Sequence, residues 1–186
     1  MKANWFIGFP VAAGAWLRTV QTGAPANLRL FDPADLHLTL AFLGPIEPDL
    51  AFAAWSFAQT CTCRAATVTL GSLQPFGPPR RPSAFSFELE QGREAIIDCM
   101  LRCQPAILAE AGRPEDPWPL PRPHITIARP PRKASASQHQ AFLAWANAVM
   151  PPPDAIRLGE LALYTWADDR KLRQFRIAAS QQLMDA

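Results

Sequence analysis

The sequence predicts an α+β fold over residues 1–186, in one domain or two closely joined lobes, with a mixed, largely antiparallel arrangement of strands. Segments with helical and strand-like periodicity alternate along the chain. A hydrophobic content of 49% against 18% charged residues provides for a sizeable core. Two strands alternate polar and apolar residues, which disfavours a parallel sheet buried on both faces. Because no glycine-rich phosphate loop follows a strand, the common nucleotide-binding folds are disfavoured as well.

The N-terminal third contains two strand–helix pairs. The hydrophobic patterns predict, in chain order, a strand at Asn4–Phe9, a helix at Val11–Gln21, a strand at Leu36–Leu43 and a helix from Pro48 to Cys61. Pro10 precedes the first helix, and Gly44-Pro45 ends the second strand.

The middle of the chain predicts a hairpin and a helix. The strands are Ala66–Leu73 and Ala84–Glu90, joined by a proline-rich loop over residues 74–82. The helix is Arg93–Ala111, and Pro105 should kink or split it because proline lacks a backbone N–H.

The C-terminal third repeats the alternation. It predicts a strand at His124–Ala128, a helix that Ser137 opens with Gln140 as its capping box, and a hairpin of Ile156–Trp166 and Leu172–Ala179. Each half of the chain therefore carries comparable elements, which is a weak internal repeat.

Charge and cysteine content restrict the classes of function. A net charge of +2 does not by itself argue for nucleic acid, and fifteen arginines against three lysines suit phosphate or reflect an arginine-rich proteome. No apolar run reaches the length of a membrane span, and the N-terminus lacks a signal-peptide pattern, so we expect a cytoplasmic protein. The four cysteines fit zinc spacing poorly, and the cytoplasm disfavours disulfides, so we interpret them as small buried hydrophobes.

A tetrapeptide pattern occurs twice and carries most of the functional information. His37-Leu38-Thr39-Leu40 and His124-Ile125-Thr126-Ile127 each alternate polar and aliphatic residues. In a strand, each segment places its His and Thr on one face and its aliphatic residues on the other. Since the chain has three histidines in total, the recurrence of two in this pattern indicates a function rather than two similar strands.

Two facing histidines can act as an acid and a base in the same step, which a single histidine cannot do. With an unperturbed pKa near neutrality, one ring can take a proton from water while the other gives a proton to a leaving oxygen. This pairing suits displacement at phosphorus, with the Thr39 and Thr126 hydroxyls donating hydrogen bonds to phosphate oxygens. Neither motif contains a carboxylate, and two histidines alone are a poor ligand set, so we expect neither a metal nor a cofactor.

At these residues the chain resembles the two-histidine (2H) phosphoesterases. His37-Leu38-Thr39-Leu40-Ala41-Phe42-Leu43-Gly44 and Pro123-His124-Ile125-Thr126-Ile127-Ala128-Arg129 are similar to the two signatures of that superfamily, and most similar to its RNA 2′,3′-cyclic phosphodiesterase, or LigT-like 2′-5′ RNA ligase, branch. The resemblance covers nearly the whole chain, although the sequence after Tyr164 and the long approach from Pro114 to Pro123 depart from the pattern.

The resemblance implies a bilobal LigT-like fold with two antiparallel sheets beside a central cleft and helices outside. It implies metal-independent hydrolysis of RNA-terminal 2′,3′-cyclic phosphate to a 2′-phosphate, and reversible 2′-5′ RNA ligation when an RNA 5′-hydroxyl replaces water. His37 then matches the proton donor to the 3′ oxygen, His124 the base, and Thr39 and Thr126 the phosphate-binding hydroxyls. The implied partners are RNAs with cyclic phosphate ends, such as tRNA fragments, bound by a monomer.

Arg129 is expected to contact substrate on the family pattern, although strand alternation places it on the face of Ile125 and Ile127. It would reach the site if the strand ended or bent at Pro130.

Several side chains outside the motifs are weaker candidates. Arg80 and Arg81 are candidates for an RNA backbone or are solvated loop charges, and Trp118 and Phe76 could stack a base or secure their loops. We expect His139 to lie on an exposed helical turn and to be non-catalytic.

Two other functions remain open on the sequence. The same cleft could bind RNA ends without turnover, for which the arginine content argues. Alternatively, a phosphodiesterase could act on a small cyclic phosphate instead of RNA.

Overall fold

A computed structural model describes residues 2–78, 81–113 and 120–185 of the chain. These residues form strands and helices in the following order: β1 Trp5–Pro10, α1 Trp16–Gln21, β2 Arg29–Leu30, a 3-10 turn at Pro33–Asp35, β3 His37–Gly44, α2 Pro48–Ala58, β4 Ala66–Val68, β5 Leu70–Phe76, β6 Ala84–Leu89, α3 Arg93–Glu110, β7 His124–Arg129, α4 Ala136–Ala148, β8 Ile156–Leu158, β9 Glu160–Trp166 and β10 Phe175–Gln182.

The strands pair antiparallel throughout the described residues. The large sheet runs β10-β9-β1-β3-β7-β6-β5, with β2 also paired to β7, while β4 and β8 form a separate two-stranded sheet. The two halves of the large sheet meet at β3 and β7, whose pairing consists of the single pair Leu38 and Ile125. The structure thus confirms the predicted α+β class and its antiparallel sheets, which join along this seam.

The main core lies between the helices and one face of the large sheet. All four helices contribute buried side chains, which pack with strand residues such as Leu38, Leu40, Ile125 and Ile127. A separate small apolar cluster consists of Phe6, Ala162 and Tyr164, with Phe175 packed against it.

Some helix boundaries differ from the predictions. Helix α1 begins at Trp16 instead of Val11. Helix α3 continues through Pro105, because the carbonyl that loses its partner belongs to Leu101 on the exposed side, where water can bind it. The capping box of α4 is formed by Ser135 and Gln138, two residues before the predicted pair.

Two predicted strands are divided, and one short strand was not predicted. The segments 66–73 and 156–166 each split into a short strand of the small sheet and a longer strand of the large sheet, and β2 was not anticipated. The last strand begins at Phe175 instead of Leu172.

The interpretation of the cysteines as separate small hydrophobes was wrong. Cys63 and Cys99 form a disulfide, and the Cys103 sulfur lies 3.6 Å from that of Cys63. These side chains come from the segment after α2 and from α3, which pack together, so tertiary contacts unite cysteines that are distant in sequence.

None of the helices in the described part of the chain has the length and apolar character needed to cross a bilayer.

Candidate active site

The seam between the two halves of the sheet brings the two motifs together. Leu38 and Ile125 are paired across it, and both side chains are fully buried in the main core. Since neighbouring residues of a strand point to opposite faces, His37 and Thr39 on β3 and His124 and Thr126 on β7 lie on the other face. The structure therefore assembles all four predicted polar residues on one surface.

Each motif strand contains a β-bulge immediately after its threonine. On β3, Ala41 pairs with Ile7 and Thr39 with Gly8, so Leu40 is the extra residue. On β7, Ala128 pairs with Phe85 and Thr126 with Ser86, so Ile127 is the extra residue. The two halves of the molecule are thus alike in backbone irregularity as well as in sequence.

The bulge at Ile127 corrects the expected position of Arg129. An extra residue reverses the alternation of side chains, so Ala128 faces the core and Arg129 lies on the face of Thr126. Burial is the main cause that lowers the pKa of His37 and of His124, and the Arg129 charge adds to the lowering at both, which places the guanidinium near both rings. The expectation from simple alternation was therefore wrong, and the change of face occurs at Ile127 and not at Pro130.

A second arginine accompanies Arg129 and was missed by the sequence analysis. Arg29 on β2 is paired directly with Arg129, and the pKa of the Arg129 guanidinium is lowered first by burial and then by the charge of Arg29. Two adjacent cations repel each other, and an anion bound between them would relieve this repulsion. The only sequence signal was an arginine in a short apolar segment before the first motif.

Both histidines are held by the same kind of hydrogen bond. Nδ1 of His37 donates to the backbone oxygen of Asp35 over 2.7 Å, and Nδ1 of His124 donates to that of Arg122 over 2.7 Å. A carbonyl oxygen accepts only, so each neutral ring carries its proton on Nδ1. Nε2 is then the atom of each ring that is available to exchange protons.

Each histidine ring also packs against a phenylalanine. The ring centroids of Phe6 and His37 are 4.5 Å apart, and those of Phe76 and His124 are 4.2 Å apart. The Tyr164 ring stacks on Phe6, with centroids 4.7 Å apart, and also lies beside His37, with centroids 5.4 Å apart. The aromatic surfaces restrict the rotation of both imidazoles, which is the positioning that acid–base chemistry needs.

Burial makes both imidazoles less basic. It is the main cause that lowers the pKa of His37 to about 4, and it also lowers the pKa of His124. Glu88 opposes this effect at His124, because its negative charge favours a protonated ring. Glu88 is itself paired with Arg122, whose guanidinium lies 4.1 Å from the centre of the Phe76 ring.

The two threonines have different surroundings. The Thr126 hydroxyl lies 2.9 Å from that of Ser86, and both side chains are buried. When Ser86 donates in this bond, the Thr126 proton is free to point towards a ligand. Thr39 is half-buried and pairs with Gly8, where any Cβ would overlap the backbone oxygen of Leu38.

Asp35 connects the His37 strand to the last hairpin. Its carboxylate is buried and accepts hydrogen bonds from the backbone N–H groups of Gln174 and Phe175, at 2.7–2.9 Å. The Phe175 ring packs edge-on against His37, with centroids 5.4 Å apart. Asp35 thus accepts the hydrogen bond of His37 through its backbone oxygen, and its carboxylate positions Phe175, whose ring packs against His37.

The alternation of β6 could have indicated the positions of Ser86 and Glu88. Its sequence Ala84-Phe85-Ser86-Phe87-Glu88 places the two polar residues on one face. In contrast, the stacking of Phe6 on His37 depends on strand order and could not be inferred locally.

The weaker candidates have mixed outcomes. Phe76 packs on His124 rather than standing free, and Arg81 is exposed in its loop. His139 is buried against Phe142, so the expected exposed turn was wrong. Arg80 and Trp118 lie outside the described residues.

A family comparison agrees with this arrangement. The model of the 2′-5′ RNA ligase superfamily matches residues 9–170, which include both motifs. The chain belongs to this superfamily. The resemblance to the two-histidine phosphoesterases is thereby confirmed.

Solved structures share the fold over nearly the full length of the chain. A phosphoesterase crystal structure has a TM-score of 0.73 at 20% identity, covering 98% of this chain and 99% of that one. Escherichia coli LigT complexed with ATP has a TM-score of 0.70 at 19% identity, covering 100% of both chains. A protein of Thermus thermophilus has a TM-score of 0.69 at 19% identity, covering 98% of each. At these identities the likeness shows the LigT-like fold. No curated protein sequence matches the chain significantly.

Proposed function

We propose that this protein hydrolyses RNA-terminal 2′,3′-cyclic phosphate to a 2′-phosphate by metal-independent acid–base catalysis. The observation that carries the proposal is the pair of histidines on one face of the sheet, each with Nδ1 bonded to a backbone oxygen and Nε2 left for proton exchange. Membership of the 2′-5′ RNA ligase superfamily supports an RNA substrate and phosphoester chemistry.

The reaction requires one neutral and one protonated ring. Nε2 of the base takes a proton from water, and the water oxygen forms a bond to phosphorus. The bond from phosphorus to the 3′ oxygen breaks, and Nε2–H of the acid protonates that oxygen. In the proposed site Thr39, Thr126 and Arg129 bind the other phosphate oxygens and stabilise their charge.

The assignment of acid and base can be tested separately. The family resemblance implies His37 as the acid and His124 as the base. Without substrate, however, the negative charge of Glu88 raises the pKa of His124 and favours a proton there. No carboxylate side chain is among the groups that raise the pKa of His37. Bound phosphate would raise the pKa of both rings, because its negative charge stabilises each imidazolium.

A substrate with a sulfur at the bridging 3′ position identifies the acid, since a thiolate leaves without protonation. Replacing the acid by alanine should then cost activity on the oxygen substrate but little on the sulfur substrate. Replacing the base should cost activity on both. We propose that His37 is the acid. If the sulfur substrate restored activity to His124→Ala but not to His37→Ala, His124 would be the acid instead.

The primary test measures product from a 2′,3′-cyclic nucleotide and from a short RNA with a cyclic end. His37→Ala and His124→Ala should each lose at least about 100-fold in kcat/KM, the usual scale of general acid–base catalysis. His139→Gln is the matched control and should keep its activity per folded molecule. Full activity in either of the first two variants, or abolition by brief exposure to a chelator, would refute the mechanism.

Ligation is the parallel reaction in which an RNA 5′-hydroxyl replaces water: its oxygen forms a bond to phosphorus, the bond from phosphorus to the 3′ oxygen breaks, and the acid protonates that oxygen. We include it in the proposal because one site can activate either nucleophile, and because the ligation step itself is reversible. Incubation of a 2′-5′ linked RNA with the protein should then yield the cyclic end and the free hydroxyl.

Binding of RNA ends without turnover is the second candidate, favoured by the paired cations Arg29 and Arg129. Strongly salt-dependent binding with no product would support it. The third candidate, a small cyclic phosphate, would be supported by mononucleotide turnover that exceeds turnover of cyclic-ended RNA.

A further inference from the structure

All four cysteines of the chain converge at one place, remote in sequence from both motifs. Cys61 and Cys63 follow helix α2, and Cys99 and Cys103 lie one turn apart on helix α3. The sulfur atoms of Cys63, Cys99 and Cys103 all lie within 4.8 Å of one another, and the Cys61 thiol interacts with that of Cys103. A single disulfide accounts for only two of these four side chains.

The spacing of the sulfur atoms matches a small cation with tetrahedral thiolate ligands. Zinc binds thiolate sulfur at about 2.3 Å, so the sulfurs of a tetrahedral site lie about 3.8 Å apart. The sulfur atoms of Cys63 and Cys103 are 3.6 Å apart, which fits this spacing, whereas those of Cys63 and Cys99 are bonded to each other and must separate on reduction. Cys61 and Cys63 form one short chelating segment, and Cys99 and Cys103 project from one face of a helix, as two-plus-two sites require.

Polar neighbours suit a negatively charged cluster. The Arg102 guanidinium donates to the hydroxyl of Thr62, the residue between Cys61 and Cys63, over 3.3 Å. The Arg102 guanidinium is also paired with Asp98, one turn earlier on α3, at 2.9 Å. A cation at this position would offset part of the double negative charge of a zinc tetrathiolate.

We propose that, in the reduced protein, these four cysteines form a structural site for Zn²⁺ that ties α2 to α3. A dithiol reductant supplies two electrons and two protons to the Cys63–Cys99 disulfide and becomes a disulfide itself. The four thiols then release four protons as their sulfurs bind one Zn²⁺. The site goes beyond the proposed hydrolysis, because Cys63, Cys99 and Cys103 pack in the helix-side core and not on the face of the histidines.

The test uses the full-length protein, reduced with a dithiol, freed of metal and titrated with Co²⁺ as a spectroscopic probe. We expect one Co²⁺ per chain, with sulfur-to-cobalt charge-transfer absorption, and displacement of Co²⁺ by Zn²⁺. Cys103→Ser should weaken Co²⁺ binding at least about tenfold. Losing a group that only hydrogen-bonds to a metal ligand already costs about that much, and losing the ligand itself costs more. Ser56→Ala, on the exposed side of α2, is the matched control and should bind like the wild type.

Thiol alkylation provides a readout that does not depend on a variant that folds. Zinc should protect all four thiols of the reduced wild type, and chelation should expose them. Absence of the charge-transfer band, or unchanged alkylation in the presence of zinc, would overturn the proposal and leave the disulfide as the only bond within the cluster. Hydrolysis measured on the same samples separates this outcome from failure of the proposed function.

Discussion

Stability at acidic pH should depend strongly on His37. The folded chain holds the pKa of this ring at about 4, mainly because of burial, whereas the unfolded chain restores the ordinary value of 6.5. The unfolded state therefore binds a proton more readily. The contribution of neutral His37 to stability is fully present above pH 6.5 and is lost as the pH falls from there to 4.

The size of this effect follows from the two pKa values. Each tenfold difference in proton affinity corresponds to about 1.4 kcal/mol. The full loss below pH 4 is therefore at most about 3.5 kcal/mol, and about 2 kcal/mol is lost by pH 5. These are upper values, because His37 is only half-buried and solvent screens the interactions of its charged form.

Urea denaturation at pH 7 and pH 5 measures this loss. We expect His37→Gln to lose less free energy of unfolding over this interval than the wild type does, by about 1–2 kcal/mol. Glutamine keeps a donor for the Asp35 oxygen but does not titrate. Arg132→Gln changes an exposed loop residue and should follow the wild type. Equal losses in His37→Gln and wild type would refute the burial argument.

Three further predictions concern the surroundings of the histidines. Arg129→Met should raise the pKa of both rings in an NMR titration, because it removes a cation, and should raise KM for substrate about tenfold or more. Ser86→Ala leaves the buried Thr126 hydroxyl without its partner and should cost about 1–3 kcal/mol in urea denaturation. Gly8→Ala should cost about 1–3 kcal/mol, because its Cβ overlaps a β3 backbone oxygen, whereas Gly71→Ala has room for a Cβ.

Each of these predictions has a contradicting result. Unchanged histidine titration in Arg129→Met would place the guanidinium away from the site. Wild-type stability of Ser86→Ala would mean that Thr126 finds another partner. Equal costs at Gly8 and Gly71 would exclude close strand approach as the cause.

Residue alternation was sufficient to predict the shared face of each His and Thr, because no irregularity separates them. Alternation failed to predict the faces of Ala128 and Arg129, which follow Thr126 by two and three residues. A β-bulge is defined by the partner strand, and nothing within the sequence of β7 shows that Ile127 is the extra residue. Arg129 was therefore assigned to the wrong face by a rule that holds only for regular strands.

Helices and cysteines illustrate the same limit. Pro105 should interrupt a helix when its effect is judged locally, but the affected carbonyl belongs to the exposed residue Leu101, and the helix continues. Spacing along the chain gave no reason to group Cys61 and Cys63 with Cys99 and Cys103, because α2 and α3 bring them together only in the folded state.

The single pair at Leu38 and Ile125 has a consequence for how mutations combine. Each imidazole is oriented within its own half of the sheet, but the separation between the two depends on this seam. Substitutions inside one half should therefore change stability and activity independently, with additive effects across halves. Substitutions at the seam should change both together, since there the backbone that supports the core also sets the distance between acid and base.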